Sequence, residues 1–237
     1  MPTGGSNRVV SLYLPLWPTE RIRKKLGNAA PETPLALAGR EGSRRVVMSA
    51  DLAARKIGVT PGIPVAKAQA LYPDLTIMDA DPEGDRAGLE ALALWFQRRI
   101  APSVAVDVSG GPPDGIVMDT TGTDHLHGGE PAMLATVVRR LADSGFTAKV
   151  TIAGTWGAAH ALARYGRGRI VIVPDGGIPD ALCNLPIEAL RLPAAVIEGL
   201  RTLGISRIGK LAAMPRAPLT LRFGPELERR LDQAYGC

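Results

Sequence analysis

Apolar positions along the chain come in short runs cut by proline and glycine. The first, RVVSLYL at residues 8–14, has the length of a buried strand, and the proline-rich LPLWP after it ends the run before a basic helix near 18–27. Further on, VVMSADLAARKIG reads as a strand passing into a helix, TPGIP as a turn, VAKAQALYP as a short helix stopped by Pro73, and TIMDADP as a returning strand. The pattern then predicts helix 84–100, strand 103–108, a turn at SGGPPD, strand 115–120, helix 130–144, strand 147–153, helix 157–165 and strand 169–173. From about residue 181 the chain is helical, with LGI and IGKLAAMP reading as paired short helices about a small turn.

Strands interleaved with helices, together with one tight antiparallel hairpin, predict an α+β fold whose centre is a split βαβ sheet with helices on one face. Strand 8–14 completes that sheet, which makes residues 14–77 an insertion between its first strand and first helix. The C-terminal part reads as a compact basic helical module.

Composition narrows the class. Of 237 residues, 46% are hydrophobic and only 4% aromatic, with 27 Gly and 20 Pro, which implies a folded, aliphatic core with many sharply punctuated connections. Cys183 and Cys237 stand far apart with no second Cys or His at metal-ligand spacing, which fits a reducing cytoplasm. The opening MPTGGSNRVVSLYLPL is interrupted by Pro15 and followed, after Pro18, by RIRKK, unlike a signal peptide or a membrane span. A soluble cytoplasmic protein without a membrane partner is therefore expected.

The net charge of +5 is unevenly spread: residues 1–73 carry 11 basic and 4 acidic side chains, 74–130 carry 3 and 11, and 191–230 carry 8 and 3. Two basic blocks around an acidic middle suit the gripping of a phosphate backbone, if the fold brings them together; ordinary solvated faces give the same counts. Other motifs are weaker. GTWGAAHALARYG puts glycines at a strand-to-helix turn but does not meet the G-x-G-x-x-G pattern. His125 and His127 near Asp124 read as a surface turn, His160 as a packed histidine, and no Ser-His-Asp or Cys-His arrangement is legible.

Four strings resemble the Y-family of translesion DNA polymerases (UmuC/DinB-like), and within it the ImuB-type members, polymerase-like partners in bacterial mutagenesis cassettes. SADLAARKIGVTPGIPVAKAQALYPDL is similar to the fingers motif, MDTTGTDHLHGG to the ImuB-type palm strand and loop, AGTWGAAHALARYG to the next palm helix, and LTLRFGPELERRLDQAYG to the end of a thumb. The resemblance covers essentially the whole chain. It implies a palm at 8–14 and 78–166, fingers at 15–77 and a thumb at 167–236, with no little-finger domain and no C-terminal extension for clamp and partner contacts. Either a natural short form or a trimmed chain is expected on that ground.

Polymerisation in this family uses two divalent cations held by several carboxylates. Matched to the family's pattern, the first carboxylate position falls on Tyr13. The hairpin Asp-Glu falls on Asp114 and Gly115, because Met118, Asp119, Thr120 and Thr121 match the Leu-Asp-x-Thr that comes after it in the family. Asp114 beside Pro112 and Pro113 reads as a turn aspartate that binds Mg²⁺ weakly at most, and Asp119 as a strand residue or a cap of the TTG turn. On that matching, Tyr13→Asp with Gly115→Glu would rebuild a metal site. The triphosphate contacts are eroded too: Leu52 and Arg55 stand for a Tyr-x-x-Arg, Arg167 for a lysine, and Pro18 beside Trp17 for the steric-gate aromatic, with Trp17 expected in the core. In the thumb, Arg191, Leu192 and Pro193 replace a Gly-x-Gly turn, which leaves Arg201, Arg207, Lys210, Arg216 and Arg222 as the phosphate candidates.

The resemblance therefore implies a non-catalytic, polymerase-like adaptor in damage-induced translesion synthesis and mutagenesis, with weak, sequence-tolerant binding to primer-template DNA. No cofactor is expected, with Mg²⁺ only if the chain is instead an active low-fidelity polymerase using displaced ligands. A third possibility is a protein-interaction scaffold that binds no DNA. The partners implied are the sliding clamp, an ImuA-like RecA-related protein and an error-prone replicative polymerase.

Overall fold

The computed structural model describes residues 7–27, 33–109 and 111–237; the opening MPTGGS and Gly110 of the expected turn lie outside them. In chain order the elements begin with β1 (Val9–Tyr13), α1 (Trp17–Lys25), β2 (Leu35–Glu41), β3 (Arg44–Ala50), α2 (Leu52–Lys56), α3 (Val65–Leu71) and β4 (Thr76–Asp79). There follow α4 (Pro82–Gln97), β5 (Ser103–Asp107), β6 (Gly115–Asp119), α5 (Glu130–Asp143), β7 (Lys149–Ala153), α6 (Trp156–Tyr165) and β8 (Ile170–Ile172). The helical remainder is α7 (Ile178–Cys183), a 3₁₀ turn (Ile187–Leu190), α8 (Ala194–Thr202), α9 (Ile208–Ala212), α10 (Arg216–Phe223) and α11 (Pro225–Tyr235).

The chain forms two compact units. The larger comprises residues up to Tyr13, Leu89–Arg140 and Ala148–Cys237, and the smaller Leu14–Gly88 with Leu141–Thr147.

In the larger unit the strands lie in the order β5-β6-β1-β7-β8, with β1 antiparallel to both neighbours and β7 parallel to β8. One face carries Val10 and Leu12 in register with Met118, Ile152, Ile116 and Val150, all six fully buried or nearly so. The parts of α4 and α5 in this unit carry buried apolar stripes at helical spacing, Leu89, Ala93 and Phe96 on α4 and Met133, Leu134, Val137 and Val138 on α5. The opposite face carries small side chains on the same strands, Ser11, Gly115 and Thr151, and against it lies α6. Its run from Gly157 to Ala163 is buried throughout and mostly alanine, so its backbone comes close to β1 and β7. Its far side shares a core with the C-terminal helices, including Leu182, Ile187, Leu200, Ile208, Leu211, Leu227 and Leu231. Residues 89–140 and 148–236, most of the segments expected as palm and thumb, thus fall in one unit by contact.

The smaller unit holds a three-stranded sheet in the order β3-β2-β4, β2 antiparallel to β3 and parallel to β4. Because Leu37 pairs with Met78 and Ala38 with Asp79, residues 78–88 join this unit, beyond the expected boundary at 77. Residues 141–147 join it as well: Phe146 packs on Trp17 at 4.8 Å between ring centroids, and Thr147 donates its N–H and hydroxyl to Glu20. Trp17 is a core residue as expected, 3% exposed, with its indole N–H donated to the Asp85 carbonyl.

Gly157 is fixed by packing. A Cβ there would lie 2.5 Å from the Gln233 carbonyl oxygen and 2.8 Å from the Ala234 Cα, both backbone atoms of α11. A helical Gly→Ala change in open space gains about 1 kcal/mol. Gly157→Ala is expected to do the reverse, losing about 1–3 kcal/mol in urea denaturation, as overpacking does; a gain in stability would refute the close α6–α11 contact.

Candidate functional site

One end of the five-stranded sheet gathers the matched positions into a row. Asp107 at the end of β5 pairs with Gly115 at the start of β6, Gly115 pairs with Tyr13 at the end of β1, and Tyr13 pairs with Lys149 at the start of β7. Directly paired residues share a sheet face, so Asp107, Gly115, Tyr13 and Lys149 all point to the side on which α6 lies. Lys149 donates to the Gly166 carbonyl at 2.7 Å, where its charge meets the C-terminal end of α6.

The last turn of α6 drops Arg164 into this row. Its guanidinium hydrogen-bonds the Asp107 carboxylate at 3.2 Å and the Asp114 carboxylate at a shorter distance, and lies over the Tyr13 ring, 4.9 Å from its centroid. Gly115 makes the room: a Cβ there would fall 3.3 Å from Arg164 Nη2 and 2.3 Å from the Leu12 carbonyl oxygen. Asp107 is almost fully buried and also accepts from the Ser109 hydroxyl at 2.6 Å and the Ser109 N–H at 3.1 Å. Burial pushes the Asp107 carboxyl up, but the Ser109 bonds and the Arg164 charge outweigh it and hold the carboxyl below its usual range. Burial raises the Asp114 carboxyl, with Arg164 only partly opposing.

His160, one turn earlier on α6, is 2% exposed, with Nε2 3.6 Å from Asp107, beyond a hydrogen bond. Burial and the neighbouring Arg164 push its pKa down to about 3, so the ring is neutral. Arg191 follows the 3₁₀ turn in a left-handed backbone conformation at φ 57°, a position that favours glycine, and its guanidinium stacks on Trp156 at 4.0 Å. Burial and Arg230 lower its pKa to about 10. These groups border a cavity of about 590 Å³ lined by Tyr13, Asp114, His160, Arg164 and Arg191 among others.

The structure places Tyr13, Asp114 and Gly115 together at one end of the sheet. It does not leave Asp114 as a plain turn aspartate, because Arg164 holds it. The proposed rebuild also meets an obstacle, since Gly115→Glu would drive its Cβ into the backbone of β1. Arg55 donates to the Ala50 and Pro15 carbonyls at 2.8 and 3.0 Å, and Arg167 is exposed just past α6. Of the thumb cations, Arg201 pairs with Glu188, Arg207 donates to the Asn184 carbonyl, Lys210 to the Gly204 carbonyl, Arg216 pairs with Asp232, and Arg222 lies over Phe223. Asp119 caps the TTG turn by accepting from the Thr121 N–H, and His127 Nε2 lies 3.1 Å from the Ile100 carbonyl. Sequence reasoning missed Asp107 and Arg164; the signals were a carboxylate closing the strand before the SGGPPD turn and an arginine four residues after His160.

Residues 21–164 match the model of the impB/mucB/samB family. The chain belongs to that family. It is 49% identical over 181 residues to Protein ImuB of Caulobacter vibrioides, covering 76% of this chain and 38% of that protein. To DNA polymerase IV of Dehalococcoides mccartyi it is 29% identical over 199 residues, covering 81% of this chain and 49% of the relative. The chain therefore spans about two fifths to one half of these relatives. Its fold is that of DinB from Sulfolobus solfataricus, at a TM-score of 0.76 and 18% identity, with 97% of this chain and 67% of that one covered. An insertion ternary complex of Dbh DNA polymerase superposes at a TM-score of 0.78 and 17% identity, with the same coverage. The polymerase-like α+β fold is thus as expected, and no helix among the described residues is long and apolar enough to cross a membrane.

The His160 environment has a measurable consequence. An imidazole near pKa 6.5 when unfolded and about 3 when folded binds its proton first in the unfolded state, so its contribution is present above pH 6.5 and declines as pH falls towards 3. Relative to His160→Gln, the parent should lose on the order of 1–2 kcal/mol between pH 7 and pH 5 in denaturant titrations. Parallel pH profiles for the two proteins would contradict a neutral buried imidazole.

Proposed function

We propose that the chain is a non-catalytic, polymerase-like adaptor in damage-induced translesion DNA synthesis, holding primer-template DNA or bridging an error-prone polymerase and its accessory proteins. The observation that carries this reading is the state of the matched carboxylate positions. Tyr13 and Gly115 offer no carboxylate, and the remaining Asp114 is paired with Arg164. Nucleotidyl transfer needs metal-held oxygens in line, and these positions do not supply the ligands. The DNA setting comes from the relatives' names, ImuB and DNA polymerase IV. A sliding clamp, an ImuA-like protein and an error-prone replicative polymerase belong to the same proposal as partners, and a cytoplasmic location goes with them.

One observation favours the runner-up, an active low-fidelity polymerase with displaced ligands: Asp107 places a second carboxylate beside Asp114. Its pairing with Arg164 and Ser109 weighs against a metal role. Primer extension with Mg²⁺ and with Mn²⁺ decides, and no incorporation is expected with either ion. Template-dependent extension that disappears in Asp114→Ala would sink the non-catalytic reading.

DNA contact is assigned to Arg201, Arg207 and Lys210, exposed around the α8–α9 turn, with Arg216 and Arg222 flanking. Their present partners are carbonyl oxygens, the part-buried carboxylates of Glu188 and Asp232 and the Phe223 ring, contacts that phosphate oxygens can take over. Fluorescence anisotropy with primer-template DNA at low salt should show binding that weakens steeply as salt rises, and Arg201→Glu/Arg207→Glu/Lys210→Glu should reduce affinity by about tenfold or more. Unchanged affinity in the triple variant would move the footprint elsewhere, and no binding by the parent would favour a pure protein scaffold.

A further inference from the structure

We infer that Arg164 is a built-in cation standing where the polymerase fold uses divalent metal ions, so that this cleft is closed to Mg²⁺ and Mn²⁺. The inference rests on the same matching of Tyr13, Asp114 and Gly115 as the proposed function, and it goes further by assigning a role to each changed position. A divalent ion needs several carboxylate oxygens converging on one point. Here the two nearby carboxylates, Asp107 and Asp114, converge on a guanidinium instead. Among the described residues no group of three or more His, Cys, Asp or Glu side chains is arranged to hold a metal.

The departures from the family pattern are mutually consistent. Tyr13 turns a carboxylate position into a ring face, which attracts a cation through its quadrupole and lies 4.9 Å from the Arg164 guanidinium. Gly115 removes a carboxylate from a second position, and any side chain there would press on both Leu12 and Arg164. Asp114 is kept and, with Asp107, gives the planar guanidinium two acceptors. Arg191 on the same cavity brings a second cation, and the remaining carboxylate of its lining, Glu188, is already paired with Arg201, so each carboxylate around the cavity faces a fixed cation rather than a vacant metal position. A tethered cation also cannot be diluted away, so the site is filled at every metal concentration.

The test is Mn²⁺ binding, followed by the electron paramagnetic resonance signal of the free ion at fixed ionic strength. The parent should show no saturable site through the millimolar range. Arg164→Met leaves Asp107 and Asp114 without their shared counter-charge and should gain an Mn²⁺ site at least about tenfold tighter than any residual binding by the parent. Adding Asp114→Asn to that variant should abolish the gain. Saturable Mn²⁺ binding by the parent that is lost in Asp114→Asn overturns the inference, and so does a folded Arg164→Met that gains nothing. If Arg164→Met does not fold, Arg164→Gln takes its place, and the parent titration with its Asp114→Asn control still decides whether the cleft is closed. Primer extension reports separately on the proposed function: a failed Mn²⁺ gain leaves the non-catalytic reading standing, whereas extension by the parent removes that reading whatever the Mn²⁺ result.

Discussion

The register of β1 between β6 and β7 is the constraint on which the site depends. Strand side chains alternate, and a slip of one residue would carry Val10 and Leu12 out of the core and turn Ser11 and Tyr13 into it. Six tightly buried aliphatic side chains on one face therefore fix where Tyr13 points. Once that is fixed, Gly115, Asp107 and Lys149 must share its row, because each is paired to it directly or through one neighbour. Small residues on that face and on α6 then allow the helix to approach until Arg164 reaches the row's acidic end.

Charge in a low-dielectric setting explains why the row is stable as it stands. A carboxylate as buried as Asp107 needs hydrogen bonds and a counter-charge, and Ser109 and Arg164 provide them. Losing one partner of such a buried pair costs about 3–5 kcal/mol, because the other charge is left uncompensated. The neutral state of His160 belongs to the same balance, since another cation beside Arg164 and Arg191 would add repulsion.

Much of the positive charge elsewhere is also spent within the fold. In the smaller unit Arg21 is buried and bridges Asp81 and Asp85, while Arg23 pairs with Asp51, whose other oxygen accepts the Ala54 N–H and caps α2. Arg8 in the larger unit is likewise held by Glu130 and the Val173 carbonyl. The basic N-terminal block seen in the sequence is therefore partly structural. At the α8–α9 turn Arg201, Arg207 and Lys210 are exposed, with Glu188 and the Asn184 and Gly204 carbonyls as their partners.

The sequence alone determined most of the order of elements, because strand and helix periods, Pro73 and the glycine-rich turns act locally. It missed β2, whose LALAG core lacks the β-branched and aromatic residues that mark strands; pairing with β3 and β4 makes it one. Its resemblance to the polymerase family implied that Tyr13 and Gly115 stand at positions where a polymerase needs carboxylates. Only the tertiary structure decided that Asp107 shares their row and that Arg164 fills the space between, since neither residue is near Tyr13 in the chain. Cross-strand register and the depth at which α6 lies on the sheet are set by the packing of distant side chains, and no local pattern encodes them.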